Sequence, residues 1–254
     1  MNHLLFVLNT FILKQNIFVP CGRITFHDER LVLSFLGFTH PCAVQKRVLG
    51  AQHNLVGAGG FGNDGIFCVF LPGMQGAKAL ADLLTGKENP SGRLTVTFPK
   101  RYEDTPTYLN FPGDGMQVHY GEGSFVGYRW YDARKIEPLY PFGHGLSYTA
   151  FEYRDLSVKP LGACGQEVRF TVTNVGERDG DEVVQLYVND PVSSVVTPDL
   201  LLRKFKRLHL AAGETREVVF TLGFDDFKLL DRSWRWTVEP GEFHIMVGAS
   251  SAET

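Results

Sequence analysis

One acidic side chain, Glu122, lies in a setting that is typical of sugar chemistry. It occurs in the segment Tyr120–Gly123 and is followed closely by aromatic and charged residues, namely Phe125, Tyr128, Arg129, Trp130, Tyr131 and Asp132. Sites that cleave sugars use carboxyl groups, and glycosidases hold two of them roughly 5 to 9.5 Å apart. The same residues could form a domain interface in which Glu122 pairs with Arg129. We favour the interface because aromatic clusters more often serve packing.

Two further patterns that could carry chemistry have simpler structural interpretations. Residues 57–62 match the glycine pattern of a dinucleotide-binding turn, and Asp82 lies twenty residues beyond it, where a ribose-binding acid could sit. That pattern needs a helix directly after the glycines, whereas an apolar run that ends at Pro72 follows, so we favour a flexible turn. His144 has neither a nucleophile nor metal-ligand spacing around it and is interpreted as a hydrogen-bonded histidine in a turn.

Acidic residues also cluster in two predicted turns of the C-terminal part. Asp179, Asp181 and Glu182 lie between two strand-like runs, and Asp225 and Asp226 follow another one. Carboxylates in such turns are usually solvated, so neither cluster predicts an active site. No metal or cofactor is expected, because no metal-ligand spacing or disulfide framework is formed by the four cysteines, Cys21, Cys42, Cys68 and Cys164.

The composition is typical of a soluble globular protein. The 254 residues are 44% hydrophobic and 21% charged, with a formal net charge of -3 and a sequence pI of about 6.2. Neither a nucleic-acid partner nor a membrane span is expected. The apolar run Met1–Leu13 is too short to cross a bilayer. It also lacks the Lys or Arg that precedes the apolar region of a signal peptide. A cytoplasmic location is therefore slightly favoured over a secreted or periplasmic one.

The candidate residues must be positioned by a stretch of mixed character, residues 64–150. A strand-like run at Ile66–Leu71, a helix over Gln75–Thr85 and a second strand at Leu94–Phe98 predict a βαβ unit, the remnant of a larger α/β sandwich. The remaining residues, 100–149, form a long segment rich in Gly, Pro and aromatic residues. Loops of this length are usually functional or packed across an interface.

Residues 151–254 predict an antiparallel β-sandwich of the fibronectin type III or immunoglobulin type. Apolar and polar residues alternate in short runs that are separated by Gly and Asp turns, with strands also expected near Leu156, Leu208 and Trp236. The residues expected to point inward are Val168, Phe170, Val172, Val184, Leu186, Val188, Val218, Phe220, Leu222, Phe243, Ile245 and Val247. The predicted fold class is therefore α+β, a partial α/β sandwich followed by this β-sandwich.

Several motifs resemble family 3 glycoside hydrolases and occur in the order found there. The end of the family's α/β sandwich domain is resembled by Leu71–Ala77, Ala79–Gly86, Asn89–Leu94 and Thr97–Pro99. Its interdomain loop and the entry to its C-terminal module are resembled by Tyr120–Asp132 and Pro141–Thr149. Its fibronectin type III-like domain is resembled by Val172–Gly176, Gly180–Val188 and Val238–Phe243.

The resemblance implies β-glucosidase or β-xylosidase ancestry, with retaining chemistry on β-linked glucosides, xylosides or oligosaccharides. In that family the nucleophilic Asp lies in an N-terminal barrel-like domain and the acid/base Glu lies upstream of the segment matched here. Residues 1–63 resemble neither region and stay unassigned; a truncated gene start, a shifted reading frame and a genuine replacement all remain open. No catalytic residue is therefore assigned. We expect a fragment that is inactive alone, because the nucleophile and the proton donor are both missing.

Two alternatives remain open. The chain could be a non-catalytic module that binds carbohydrate or another protein. Self-association is expected in that case, because exposed sheet edges and apolar faces tend to associate. The chain could also be a small intact hydrolase that uses Glu122 with another loop acid, although nothing in the sequence positions that second acid. In either case Glu122 and its aromatic neighbours mark the substrate margin or the interdomain loop.

Overall fold

The computed structural model describes residues 4–8, 65–70, 73–162 and 164–254. The glycine pattern at 57–62, together with Cys21 and Cys42, lies outside these residues. Cys68 and Cys164 are free cysteines. Within the described part of the chain, no helix is both long enough and apolar enough to cross a membrane.

The first part of the structure is a small α/β unit. Strand β1 (Leu4–Leu8) pairs in parallel with β2 (Gly65–Val69), and helix α1 (Gly76–Leu84) follows. Leu80 and Leu83 of α1 are buried against the side chains of β2. This is the inward-facing stripe that an amphipathic helix requires. The predicted strand and helix are thus formed within about two residues of their expected ends.

The prediction of a second strand for the βαβ unit, at Leu94–Phe98, is wrong. Leu94–Phe98 forms no strand, and Phe98 makes only an isolated antiparallel bridge with Tyr140. The backbone N–H of Leu94 donates to the carbonyl of His144, and the N–H of Gly143 donates to the carbonyl of Leu94. These bonds align the run with a neighbouring turn instead of β2, whose parallel partner is β1.

Residues 85–150 connect the two parts of the chain. Helix α1 ends at Leu84 and is terminated by Gly86, which has a left-handed φ of 70° and donates its N–H to the carbonyl of Leu83, as expected for a glycine C-cap. A 3₁₀ turn (Tyr102–Asp104) and one short helix, α2 (Tyr128–Ala133), follow within a segment that is otherwise turns.

The second part is an antiparallel β-sandwich, as predicted. One sheet has the order β3-β4-β7 and the other the order β10-β5-β6, and a short hairpin is formed by β8 and β9. The bounds are Phe151–Pro160 for β3, Gln166–Asn174 for β4, Gly180–Asn189 for β5, Leu201–Leu210 for β6, Thr215–Leu222 for β7, Phe224–Phe227 for helix α3, Leu229–Leu230 for β8, Trp236–Thr237 for β9 and His244–Gly248 for β10.

The sandwich core contains the predicted inward-facing residues. Those on β4, β5 and β7 are buried, whereas Phe243, Ile245 and Val247 are partly buried and pack against them. Two acids expected in solvated turns are buried instead, Glu182 in β5 and Asp226 in α3. Side chains two apart on a strand share a face, so Glu182 points the same way as Val184 and cannot be part of a solvated turn.

Strand β5 is buried on both faces, because the connecting segment packs along it. The side-chain amide of Asn89 donates to the carbonyl of Asp179 at 3.0 Å, and its oxygen accepts bonds from Ser147 and Tyr148. Further along the strand, Gln185 donates to the carbonyl of Gly143 at 3.3 Å. The motif residues at 89–94 and 141–149 therefore join the α/β unit to the sandwich.

Candidate functional site

Five of the seven candidate residues lie on one short helix, α2. It begins after Gly127, whose left-handed φ of 67° turns the chain into the helix. The helix carries Tyr128, Arg129, Trp130, Tyr131 and Asp132, whereas Glu122 and Phe125 precede it. The position of α2 is therefore decided by what these side chains contact.

Tyr128 attaches α2 to the sandwich. Its ring is buried and stacks on Phe142, with centroids 4.7 Å apart, and it meets Tyr187 of β5 edge-on at 6.2 Å. Its hydroxyl oxygen accepts a hydrogen bond of 3.0 Å from the backbone N–H of Leu202 in β6. Such a residue holds two parts of the fold together and presents no free ring face to a ligand.

Trp130 and Tyr131 attach the same helix to the preceding loop. The indole N–H of Trp130 donates to the carbonyl of Asp104 at 3.1 Å, and the guanidinium of Arg134 lies 4.7 Å from its ring centroid. Burial, reinforced by the charge of Asp104, raises the pKa of Tyr131 to about 12. Tyr131 therefore stays a neutral phenol throughout the physiological range.

Glu122 and Arg129 are not brought together. Glu122 lies half-buried in a turn closed by a bond from the N–H of Gly123 to the carbonyl of Tyr120, and it takes part in no ion pair with any described residue. The guanidinium of Arg129 lies instead 5.5 Å from the ring centroid of Tyr128. The Glu122–Arg129 pair that the sequence suggested is therefore absent from the described residues. Phe125 is partly exposed beside this turn.

An open cleft of about 460 Å³ lies between the end of α2 and the sandwich. The α2 side contributes Tyr131 and Asp132, and residues Lys135–Glu137 continue that wall. The sandwich side is formed by residues that the sequence did not single out, namely Asn189, Asp199, Leu200, His244 and Met246. The cleft is thus a junction site assembled from segments far apart in the chain.

Asp132 is the chemically distinctive group in this cleft. Burial, with a further contribution from the nearby carboxylate of Asp199, raises the pKa of Asp132 to about 6, although Lys135 acts in the opposite sense. Its Oδ2 atom is buried and has no hydrogen-bond partner among the described residues. A carboxyl of this kind can exchange a proton near neutral pH, as a general acid does.

The two other carboxyls of the cleft are paired with lysines, Glu137 with Lys100 and Asp199 with Lys135. Asp199 forms an ion pair of 2.7 Å with Lys135 and is about half exposed, so it lacks the setting of a nucleophile or general base. In the part of the chain that the structure covers, no group of three or more His, Cys, Asp or Glu side chains is arranged to hold a metal ion. The cleft therefore contains one carboxyl with a raised pKa, Asp132, and, among the described residues that line it, no second carboxyl that is free to act with it as nucleophile or general base.

His144 lies in a turn, as its interpretation requires, but its Nε2 atom is buried and has no hydrogen-bond partner among the described residues, so the expected bond is absent at that atom. Its ring stacks on Tyr140 with centroids 5.4 Å apart, and its carbonyl accepts the N–H of Leu94. Burial is the main cause that lowers the pKa of His144 below its usual value, so the ring is neutral near pH 7. No nucleophilic side chain is among these contacts.

The most buried acid of the junction is Glu182, which sequence reasoning misplaced. The guanidinium of Arg93 donates to its carboxylate and to the carbonyl of Gly145, and the hydroxyl of Tyr153 donates to its Oε1 atom at 2.7 Å. Burial, followed by the charge of Glu182, raises the pKa of Tyr153 strongly. A buried ion pair therefore joins the connecting residues 85–150 to strand β5 of the sandwich.

Family models match both parts of the chain. Residues 61–148 match the glycosyl hydrolase family 3 C-terminal domain, and residues 182–251 match a fibronectin type III-like domain. Both matches agree with the resemblance that the motifs indicated.

Curated relatives and solved structures extend this similarity. The chain is 48% identical over 188 residues to thermostable beta-glucosidase B of Acetivibrio thermocellus, covering 72% of this chain and 25% of that protein. It is 39% identical to the beta-glucosidase BoGH3A of Bacteroides ovatus, covering 71% of this chain and 25% of the relative. The crystal structure of a Bifidobacterium adolescentis GH3 beta-glucosidase matches with a TM-score of 0.70 and 41% identity, over 72% of this chain and 27% of that one.

A structure with bound sugar gives a similar match. Beta-glucosidase 3B of Thermotoga neapolitana in complex with glucose has a TM-score of 0.69 and 40% identity, over 73% of this chain and 26% of that chain. The chain thus spans about a quarter of the length of the curated relatives named here. Over the residues compared, it carries the C-terminal domain of glycosyl hydrolase family 3 followed by a fibronectin type III-like domain, and it is homologous there to family 3 beta-glucosidases.

Proposed function

We propose that these residues are the non-hydrolytic C-terminal part of a family 3 β-glucosidase and that the 254-residue chain cleaves no glycoside by itself. The observation that supports this is that three buried acids of the chain form ion pairs with Arg or Lys side chains. Glu182 is bound by Arg93, Asp104 by Arg101 at 3.0 Å and Asp226 by Lys204 at 2.9 Å. Each of these carboxylates balances a cation, so none is free to attack a sugar.

The remaining candidate acid, Asp132, supplies only half of a glycosidase mechanism. Hydrolysis with retention needs a nucleophile about 5 to 5.5 Å from the proton donor, and hydrolysis with inversion needs a general base roughly 6.5 to 9.5 Å away. The other carboxyls of the cleft are Asp199 and Glu137, and their charges are already balanced by Lys135 and Lys100. An acid without such a partner is expected to give no measurable turnover.

The activity of the purified chain tests this proposal directly. We expect no release of nitrophenol from aryl β-glucosides or β-xylosides above that of a heat-inactivated sample. The matched variants are Asp132→Asn and Glu122→Gln, which remove the two candidate acids without changing side-chain size. Turnover in the unmodified chain that either variant abolishes would show that the chain is a small hydrolase, and the proposal would be wrong.

The chain also exposes an apolar surface suited to the catalytic part of such an enzyme, and we include this contact in the proposed function. Within residues 108–126, Leu109 and Met116 are almost fully exposed and Tyr120 is 79% exposed. Large apolar side chains concentrated in one segment mark interaction sites rather than ordinary surface. We name this segment the apolar loop, residues 108–126.

The protein that binds the apolar loop can be identified by mixing experiments. A family 3 catalytic part that lacks its own C-terminal domains should co-elute with the chain in size-exclusion chromatography. The double variant Leu109→Ser, Met116→Ser should elute separately, whereas Val219→Ser, an exposed position on β7, should not change the complex. A dimer of the chain alone that the double variant dissolves would assign the loop to self-association instead.

A further inference from the structure

The β8–β9 hairpin carries an unusual pair of exposed side chains. Of the three tryptophans, Trp130 is partly buried, whereas Trp234 is 83% and Trp236 is 58% exposed. Trp236 lies in β9, paired with Leu230 of β8, and Trp234 lies in the connecting turn. Their Cα atoms are at most about 7 Å apart, because an extended chain spans roughly 3.3 to 3.6 Å per residue.

The turn that holds Trp234 is well ordered by Asp231. The carboxylate of Asp231 accepts the N–H groups of Ser233 and Arg235 at 2.8 and 2.9 Å and also accepts the guanidinium of Arg235 at 3.1 Å. The N–H of Trp234 donates to the carbonyl of Asp231 at 3.0 Å. These bonds, with that from the Arg235 N–H the largest cause, lower the pKa of Asp231, so the carboxylate stays charged even at a pH below its usual titration range.

Trp234 has a backbone conformation that its side chain does not favour. Its φ is 60°, the left-handed region that hairpin turns normally fill with Gly or Asn. Burial of the indole cannot compensate for this, because most of the ring is exposed. A strained and exposed tryptophan is therefore explained better by a ligand than by packing.

Trp236 is more than half exposed, and a cation lies over its ring. The ammonium of Lys228 lies 4.7 Å from its ring centroid, and the same ammonium pairs with Asp225 at 2.6 Å. The cation fixes the ring orientation without enclosing it. An aromatic ring that is held in place before binding loses little conformational entropy on binding.

We propose that Trp234 and Trp236 form a stacking platform for a β-linked glucan. The flat C–H face of a β-linked glucose unit is apolar and fits an indole face, and the hydroxyl groups at its rim accept bonds from the exposed guanidinium groups of Arg232 and Arg235. Two indoles among charged residues form a narrow strip rather than the broad apolar area of a protein interface. The choice of glucan as ligand rests on the proposed function, whereas the platform itself rests on the hairpin.

Affinity electrophoresis and fluorescence test the platform without any requirement for hydrolysis. We expect soluble mixed-linkage β-glucan in the gel to retard the chain and dextran, which is α-linked, to leave it unaffected. Cellohexaose should give a saturable blue shift of the indole emission. Trp234→Gly fits the left-handed position, so it should keep or raise the melting temperature, and it should increase Kd for cellohexaose at least tenfold.

Trp236→Ala should increase Kd similarly, and the double variant should not be retarded. The matched control is Met74→Ala, which removes a comparably exposed apolar side chain elsewhere and should bind as the unmodified chain does. If Trp234→Gly lowers the melting temperature, Trp234→Phe replaces it, with a smaller expected rise in Kd. Binding that survives the double variant, equal retardation by dextran, or capture of a protein but no glucan would each overturn the platform. Hydrolysis of the glucan would overturn only the proposed function.

Discussion

Replacing Arg93 by methionine tests whether the connecting residues 85–150 are joined to the sandwich through a buried charge. The side chains of Arg93 and Glu182 are 11% and 1% exposed, so water can replace very little of the lost contact. Methionine keeps much of the length of the aliphatic stem but provides no donor. The variant leaves the Glu182 carboxylate with only the hydroxyl of Tyr153 as a described side-chain donor.

The expected magnitude follows from the burial. Removing one partner of a buried ion pair typically costs about 3 to 5 kcal/mol, because the remaining charge stays in a poorly solvated site. In this case the Tyr153 hydroxyl keeps one hydrogen bond, so we expect a loss near the lower limit, about 3 kcal/mol. For a chain of this size, that corresponds to a fall in melting temperature of roughly 6 to 12 °C.

The assay is chemical denaturation of the unmodified chain, Arg93→Met, Glu182→Met and the double variant. The double variant removes both charges, so it should lose clearly less free energy of unfolding than the two single losses added together. Lys100→Met is the control, since the Lys100–Glu137 pair is exposed and is expected to contribute less than about 1 kcal/mol.

Two results would refute this reasoning. One is a loss below about 1 kcal/mol for Arg93→Met, comparable to the Lys100→Met control. The other is strict additivity in the double variant, which would mean that Arg93 and Glu182 act independently. Either outcome would show that the junction depends on backbone and aromatic contacts rather than on the buried charge.

Three further predictions concern the junction and the cleft. Tyr128→Phe leaves the N–H of Leu202 without its acceptor and should lower the free energy of unfolding by about 1 to 3 kcal/mol in denaturant titrations. The pKa of Asp132 is about 6 in the folded chain, above its ordinary value of 3.8, so stability is highest below pH 4 for this group and falls as the pH rises through 6. After allowance for solvent screening, the loss is about 1 kcal/mol, and melting curves of Asp132→Asn should not show it. Gly143 and Gly213 both have positive φ, but only at Gly143 would an added methyl group overlap a neighbouring side chain. Gly143→Ala should therefore lower the melting temperature clearly more than Gly213→Ala, whose cost is about 1 to 2 kcal/mol of backbone strain.

The sandwich could be predicted from sequence because its information is local. In β4 each apolar residue is followed by a polar one, and in β5 and β7 the core residues also recur at every second position, so a period of two determines which face lies in the core. The same rule would also have placed Glu182 inside, since it precedes Val184 by two positions. A carboxylate is rarely buried without a partner, and that partner, Arg93, lies 89 residues earlier in the chain.

The cleft could not be predicted, because its residues come together from distant parts of the chain. The sequence indicated Asp132 through its aromatic neighbours, but its pKa is raised by burial in the fold and then by Asp199, which stands in an irregular segment before β6. No period or motif connects these two positions. The run Leu94–Phe98 illustrates the reverse error, because its composition favours a strand whereas its backbone bonds go to a turn some fifty residues later. Contacts between distant parts of the chain determine both the setting of Asp132 and the backbone pairing of Leu94–Phe98. A single sequence carries no direct signal for such contacts.

Packing explains most of the aromatic residues that first suggested a sugar site. Tyr128, Trp130 and Tyr131 each have a contact that fixes α2, so a ligand at this helix would have to displace structural bonds. The tryptophan rings that remain available among the described residues are those of Trp234 and Trp236, which lie on a hairpin outside the motifs that indicated the family. A position can therefore identify ancestry because it holds the domains together, while ligand binding depends on side chains that packing leaves exposed.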